Sequence, residues 1–163
     1  MTFIDARIEF VGDVFSASRA SSETRRVIGQ QLTGAAFYLE GEMIQATPVG
    51  ATGVLRASWA SEYDPQQMEA TVFNNAEHMF PTELGRKAAW VPIKPLQLWV
   101  KRKLGISDEK KSLGVAIAIS KHKSENPTEG QHFVQKTYDD AVPVLQKNFL
   151  NVVGAEIVKS LSQ

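Results

Sequence analysis

The chain has 163 residues with 18 basic and 18 acidic side chains, a formal net charge of +0 at pH 7. That length supports one domain with its own core, and the balanced charge excludes a global field drawing the protein onto nucleic acid or an anionic membrane. Cysteine is absent, which excludes disulfides and thiolate zinc sites, and no run approaches the ~20 apolar residues of a membrane span.

Residues 1–21 read as a strand and a loop. Ile4, Ala6, Ile8 and Phe10 alternate with Asp5, Arg7 and Glu9, and Gly12-Asp13 closes the pattern. The start lacks a basic segment followed by an apolar core, so a protein made and kept in the cytoplasm is expected. Ser16 to Glu23 is serine-rich and reads as loop or solvated helix start, with Ser22 placed to cap. Ile28, Leu32, Ala35, Leu39, Met43 and Ala46 then recur at helical spacing, predicting a helix over Ser22 to Thr47.

Pro48 ends that helix, because it lacks an N–H and pushes Thr47 out of the α region. Gly50 and Gly53 offer positive φ at the corner that follows. From Val54 to Tyr63 the side chains alternate, with Leu55, Ala57, Trp59 and Tyr63 on one face and Arg56, Ser58 and Glu62 on the other, which predicts a strand. Asp64-Pro65 opens a turn, and Met68 to Asn74 completes an antiparallel hairpin. His78-Met79-Phe80 reads as a third short strand, ended by Pro81 or passing it at a sheet edge.

Residues 85–111 form an excursion of loop and short helix. Gly85 to Pro95 shows no period, Lys94-Pro95 begins a helix, and Leu96, Trp99, Val100 and Leu104 give it an apolar face before Gly105. Ser107-Asp108-Glu109 starts another helix. Val115 to Ile119 fits a helix or a buried strand, and the alignment of Leu113, Ala116, Ile117 and Ser120 with the cap favours helix. After a polar loop over Ser124 to Gly130, the last element runs from about Gln131 to Leu161, with Phe133, Thr137, Ala141, Leu145, Phe149, Val152 and Ile157 near one stripe. Pro143 predicts two helical pieces or one bent helix.

Signals for chemistry are weak. His78, His122 and His132 lack metal-ligand spacing, and no serine lies in a strand-to-helix nucleophile elbow. The glycines of the corner run from helix into strand, the reverse of a phosphate loop, and are read as turn residues. No catalytic residue, cofactor or metal is expected. Lys94 to Lys111, with Lys101-Arg102-Lys103 and the nearby Trp90 and Trp99, is the one stretch resembling a nucleic-acid footprint. Asp108 and Glu109 dilute it, and a solvated helix end is the favoured reading.

Taken together, Thr47-Pro-Val-Gly-Ala-Thr-Gly-Val-Leu-Arg-Ala-Ser-Trp59 resembles the "aPv-x-TG-x-Lr-x-S" signature of tail-component proteins of long-tailed bacteriophages, also described as neck, tail-completion, minor tail or virion-morphogenesis proteins. The residues carrying it are Pro48, Thr52, Gly53, Leu55, Arg56 and Ser58. Phe80-Pro-Thr-Glu-Leu-Gly85 is similar to that family's aromatic-x-x-Glu-x-Gly segment. Ile117-Ala-Ile119, then Gly130, Phe133 and Ala141, resembles its closing stretch. Gly50-Ala51, Arg86 and His132 depart from the pattern.

The resemblance implies a structural, non-enzymatic α+β protein, with long helices packed on a small, mainly antiparallel sheet in a single domain spanning 1–163. It also implies a homo-oligomeric ring of six or twelve copies at the head–tail junction, in the virion after assembly in the host cytoplasm. Its partners would be neighbouring head-closure or connector and tail-terminator proteins, with passing contact to DNA in the channel and none to membrane. Exposed sheet edges give a reason for ring closure. Arg56, Phe80, Glu83, Gly85, Trp90 and Trp99 are the candidate interface, with Arg56 and Glu83 expected to pair within a subunit or across the contact.

Overall fold

The computed structural model describes residues 4–8, 22–50 and 52–161. The elements are β1 (Ile4–Ile8), α1 (Ser22–Ala46), α2 (Val54–Ala57), β2 (Trp59–Asp64), β3 (Glu69–Asn74) and α3 (Met79–Glu83). They continue as β4 (Gly85–Arg86), α4 (Ile93–Lys103), α5 (Glu109–Glu125), β5 (Thr128–Glu129) and α6 (Phe133–Leu161). The fold is α+β, with long helices on a small antiparallel sheet, as expected. Contacts gather into two compact units, one of residues 1–47, 58–75 and 133–163, the other of 48–57 and 76–132.

In the first unit β2 and β3 form the expected hairpin, in register Trp59↔Asn74 through Asp64↔Glu69. The Asp64 carboxylate closes the turn, accepting from the Gln66 N–H at 2.7 Å and the Gln67 N–H at 3.2 Å. β1 pairs antiparallel with the other side of β3, giving the order β1-β3-β2. The N-terminal strand is therefore present over Ile4–Ile8; Phe10, Gly12-Asp13 and the loop from Ser16 lie outside the described residues.

α1 packs on β2 and β3 and α6 packs along α1. Ile28, Leu32, Ala36, Leu39 and Met43 of α1 are buried, as are Ala70, Val72, Ala141, Phe149 and Val153. Spacings of three and four keep such residues on one face. The expected stripe is right at Ile28, Leu32, Leu39 and Met43, but Ala36 and Thr47 are buried where Ala35 and Ala46 were expected to be. Gly29 has a packing reason, since a Cβ there would stand 2.6 Å from the Tyr63 hydroxyl. Ser61 Oγ donates to Glu40 Oε2 at 2.5 Å, a second tie from α1 to β2.

The end of α1 is built as its sequence predicts. Pro48 ends the helix, and Thr47 N–H donates to the Met43 carbonyl at 3.0 Å. The Thr47 hydroxyl donates to the same carbonyl at 2.5 Å and accepts from the Trp59 indole N–H at 2.7 Å, all of it buried. The strand expected over Val54 to Tyr63 begins only at Trp59, because Val54–Ala57 is the short helix α2. Its turn closes with Ala57 N–H on the Gly53 carbonyl at 3.1 Å, and Gly53 supplies φ +71°. Gly50 has no positive φ. The alternating faces proposed for Leu55 and Arg56 are therefore helical positions, Leu55 buried and Arg56 half-buried.

α6 runs unbroken from Phe133 to Leu161 through Pro143, so of the two expected forms a single helix is found. Pro143 is exposed and, lacking an N–H, offers the carbonyl four residues earlier no helical donor. Along α6 Val153 is buried and Val152 exposed, one residue off the expected stripe, Leu145 is half-buried, and the Ile157 side chain lies outside the described residues.

Replacing Thr47 by Val keeps the shape and leaves the buried Trp59 N–H unpaired, which should cost about 1–3 kcal/mol. Thr47→Ser should cost less. Urea unfolding followed by tryptophan fluorescence, with unchanged m, checks both.

Candidate functional site

All six candidate interface residues, Arg56, Phe80, Glu83, Gly85, Trp90 and Trp99, belong to the second unit. The third strand expected at His78-Met79-Phe80 is instead the helical turn of α3, with Thr82 Oγ1 donating to the His78 carbonyl at 2.7 Å and Leu84 N–H to the Phe80 carbonyl at 2.8 Å. Pro81 sits within the first turn of α3, where its missing N–H has no helical acceptor to lose.

Directly after α3 the chain meets the segment that precedes α6. Gln131 N–H donates to the Thr82 carbonyl at 2.9 Å and His132 N–H to the Glu83 carbonyl at 3.1 Å. The two-residue strands β4 and β5 pair Gly85 with Glu129 and Arg86 with Thr128. Here two glycines read separately in the sequence face one another. A Cβ on Gly85, which has φ +81°, would collide with the Thr128 carbonyl oxygen and the Gly130 nitrogen. A Cβ on Gly130 would collide with the Glu83 carbonyl oxygen and the carbonyl carbon of Leu84. This backbone-to-backbone crossing was not foreseen, because Gly85 to Pro95 has no period and two-residue strands leave none to read.

Glu83 is only 4% exposed. Arg56 is half-buried and its Nε is buried without a hydrogen bond. Neither side chain stands free. Phe80 is half-buried, whereas Leu84 and Trp90 are 63% and 56% exposed. Among the other motif residues Leu55, Phe133 and Ala141 are buried, Pro48 and Ser58 are half-buried, and Thr52 is exposed.

α4 and α5 form a helical hairpin. Asp108 caps α5 by accepting from the Lys111 N–H at 2.8 Å, within the Ser107-Asp108-Glu109 stretch expected to start this helix. α5 is helical throughout, Val115 to Ile119 included, but its buried face is Ser112, Ala116 and Ser120, leaving Leu113 and Ile117 exposed. Small side chains bring the neighbouring backbone close enough for Ser120 Oγ to donate to the Val91 carbonyl at 2.7 Å and accept from the Val91 N–H at 3.1 Å. Gln97 Nε2 donates to Ser112 Oγ and to the Glu109 carbonyl, each at 3.2 Å.

The basic cluster at the end of α4 is partly occupied. Lys101 binds the Glu109 carboxylate, and this hydrogen bond and charge hold Glu109 below the usual carboxylate range. A lowered folded-state value means the contact is present above the ordinary carboxylate pKa and is lost as pH falls through the folded one.

A groove of about 510 Å³ is lined by Val91, Leu96, Trp99 and Ile119, with Arg86 and Lys123 among its polar residues. Arg86 donates to the Ala89 carbonyl at 3.3 Å and Lys123 to the Thr128 hydroxyl at 3.1 Å, so the partners of both cations are neutral. Among the described residues no three His, Cys, Asp or Glu side chains gather to hold a metal ion, and no helix is long and apolar enough to cross a membrane.

Two measurements check this geometry. Gly85→Ala should cost clearly more than Gly105→Ala, since Gly105 has φ +68° in open space while Gly85 adds a backbone collision; about 1 kcal/mol is expected at Gly105 and more than about 2 kcal/mol at Gly85, by chemical unfolding. In a carboxyl NMR titration Glu109 should protonate below the usual range for a glutamate, and Lys101→Met should move its midpoint up.

Residues 15–90 match the family model described as "Bacteriophage HK97-gp10, putative tail-component". The match takes in the blocks Thr47–Trp59 and Phe80–Gly85 and stops short of Gly130, Phe133 and Ala141. It supports a general phage tail-related function. No curated protein and no solved structure matches the chain.

Proposed function

We propose that this protein is a structural part of a tailed-phage virion, acting at the head–tail junction as a homo-oligomeric ring and needed for joining tail to head. The observation carrying this reading is the tail-component match over residues 15–90, which spans α1, the corner, the hairpin, α3 and β4. Two features support assembly. β1 and β2 are edge strands of a three-stranded sheet, and the second unit exposes Leu84 and Trp90 where solubility alone would favour polar residues.

In this reading the ring has six copies if it continues the tail tube and twelve if it faces the portal. Head-closure or connector proteins lie on one side and the tail terminator on the other, and DNA passes through the channel. Arg56 and Glu83 form a pair, within one subunit or across the ring contact. A buried carboxylate such as Glu83 needs a compensating cation, and Arg56 lies in the same compact unit.

Native mass measurement of the purified protein, alone and mixed with its neighbouring virion proteins, tests the ring. A closed oligomer, and unjoined heads and tails when the gene is deleted, are the expected results. Normal virions from the deletion would overturn the reading. Salt-dependent binding to generic duplex DNA, without assembly, would favour a nucleic-acid module using Lys94 to Lys111 instead. In the same particle assay the charge exchange Arg56→Glu with Glu83→Arg should recover assembly lost in either single variant; a double variant no better than the singles removes the pair.

A further inference from the structure

The groove beside α4 and α5 and the exposed ridge of α6 are complementary in charge and in apolar content. On the groove side Val91, Leu96, Trp99 and Ile119 give an apolar wall. Arg86 and Lys123 bring two positive charges whose hydrogen bonds go to a carbonyl and a hydroxyl. On the ridge side Asp139 and Asp140 are adjacent, exposed acids, and Pro143 and Val144 are exposed one turn later. Residues three and four apart on a helix share a face, so the two carboxylates and the two apolar side chains form one strip. Asp139 accepts from Gln135 Nε2 at 2.9 Å, and no cation is paired with either acid among the described residues.

Three other exposed acids, Asp108, Glu109 and Glu129, are less suited. Asp108 caps α5 and Glu109 is held by Lys101. Glu129 itself lines the groove.

We propose that the groove receives the Asp139–Val144 ridge of a second copy of this chain, Arg86 and Lys123 pairing with Asp139 and Asp140 while Pro143 and Val144 cover the apolar wall. The two surfaces differ, so the contact is heterologous and repeats from copy to copy until the rotation closes. This deepens the ring reading and rests on it, naming the surfaces through which copies meet. Pairs of this kind, excluded from water by an apolar neighbour, contribute specificity and are weakened by salt at their rim.

The test uses the full chain in light scattering coupled to size exclusion, with circular dichroism confirming that each variant is folded. Wild type should assemble, while Arg86→Glu/Lys123→Glu and Asp139→Lys/Asp140→Lys should each raise the concentration for half-assembly by about tenfold or more. Mixing the two variants should restore assembly, because each then offers the charge the other's reversed surface requires. Arg86→Met/Lys123→Met, which removes charge without reversing it, should give a smaller loss.

Unchanged assembly of both reversed variants would overturn this contact and leave the ring reading intact. A wild type that stays monomeric alone and with its virion neighbours would overturn both. Binding of a generic duplex oligonucleotide that disappears only in the groove variant would overturn the contact in favour of phosphate recognition.

Discussion

Thr47 holds the first unit together at its most exposed topological risk. Its hydroxyl gives a proton to the last carbonyl turn of α1 and takes one from the indole of Trp59, so the end of a 25-residue helix and the start of the hairpin are fixed to each other inside the core. Between those two residues the chain leaves for the second unit and returns. A polar group so deeply buried is tolerated because donor and acceptor are both satisfied. With that joint set, Ile28, Leu32, Leu39 and Met43 meet the sheet face bearing Ala70 and Val72, and α6 can lie along α1.

The second unit is organised by a different constraint, the absence of side chains. Gly85 and Gly130 let two backbones cross at a separation no Cβ would permit, and the hydrogen bonds from Gln131 and His132 to the end of α3 fix the crossing. The small face of α5, Ser112, Ala116 and Ser120, does the same for the segment around Val91. Close backbone packing turns the larger side chains outward. Leu84, Trp90, Leu113 and Ile117 are exposed in consequence.

Legibility in the sequence followed the length of the pattern. The long helices, the β2–β3 hairpin and the helix start at Ser107-Asp108-Glu109 were readable because periodicity over many residues, or capping chemistry at a fixed place, leaves little choice. Val54–Ala57 and His78-Met79-Phe80 read as strand in the sequence and fall in or beside the short helices α2 and α3, since so few residues satisfy period two and period 3.6 almost equally well. Of the candidate site, the motif identified Gly85 and Gly130 and gave no reason for them, because the two are far apart in the chain and their proximity is decided by how β4 and β5 meet.

By itself the amino-acid order determined where α1 ends and which faces of α1 and β3 are apolar, both of which depend on neighbours a few residues away, and the lack of thiol chemistry. Only the tertiary structure decided that Glu83 is buried, that Leu113 and Ile117 face outward in place of Ser112 and Ser120, and that Arg86 and Lys123 share one groove. Burial and charge pairing are set by contacts between distant segments, and no local spacing encodes them.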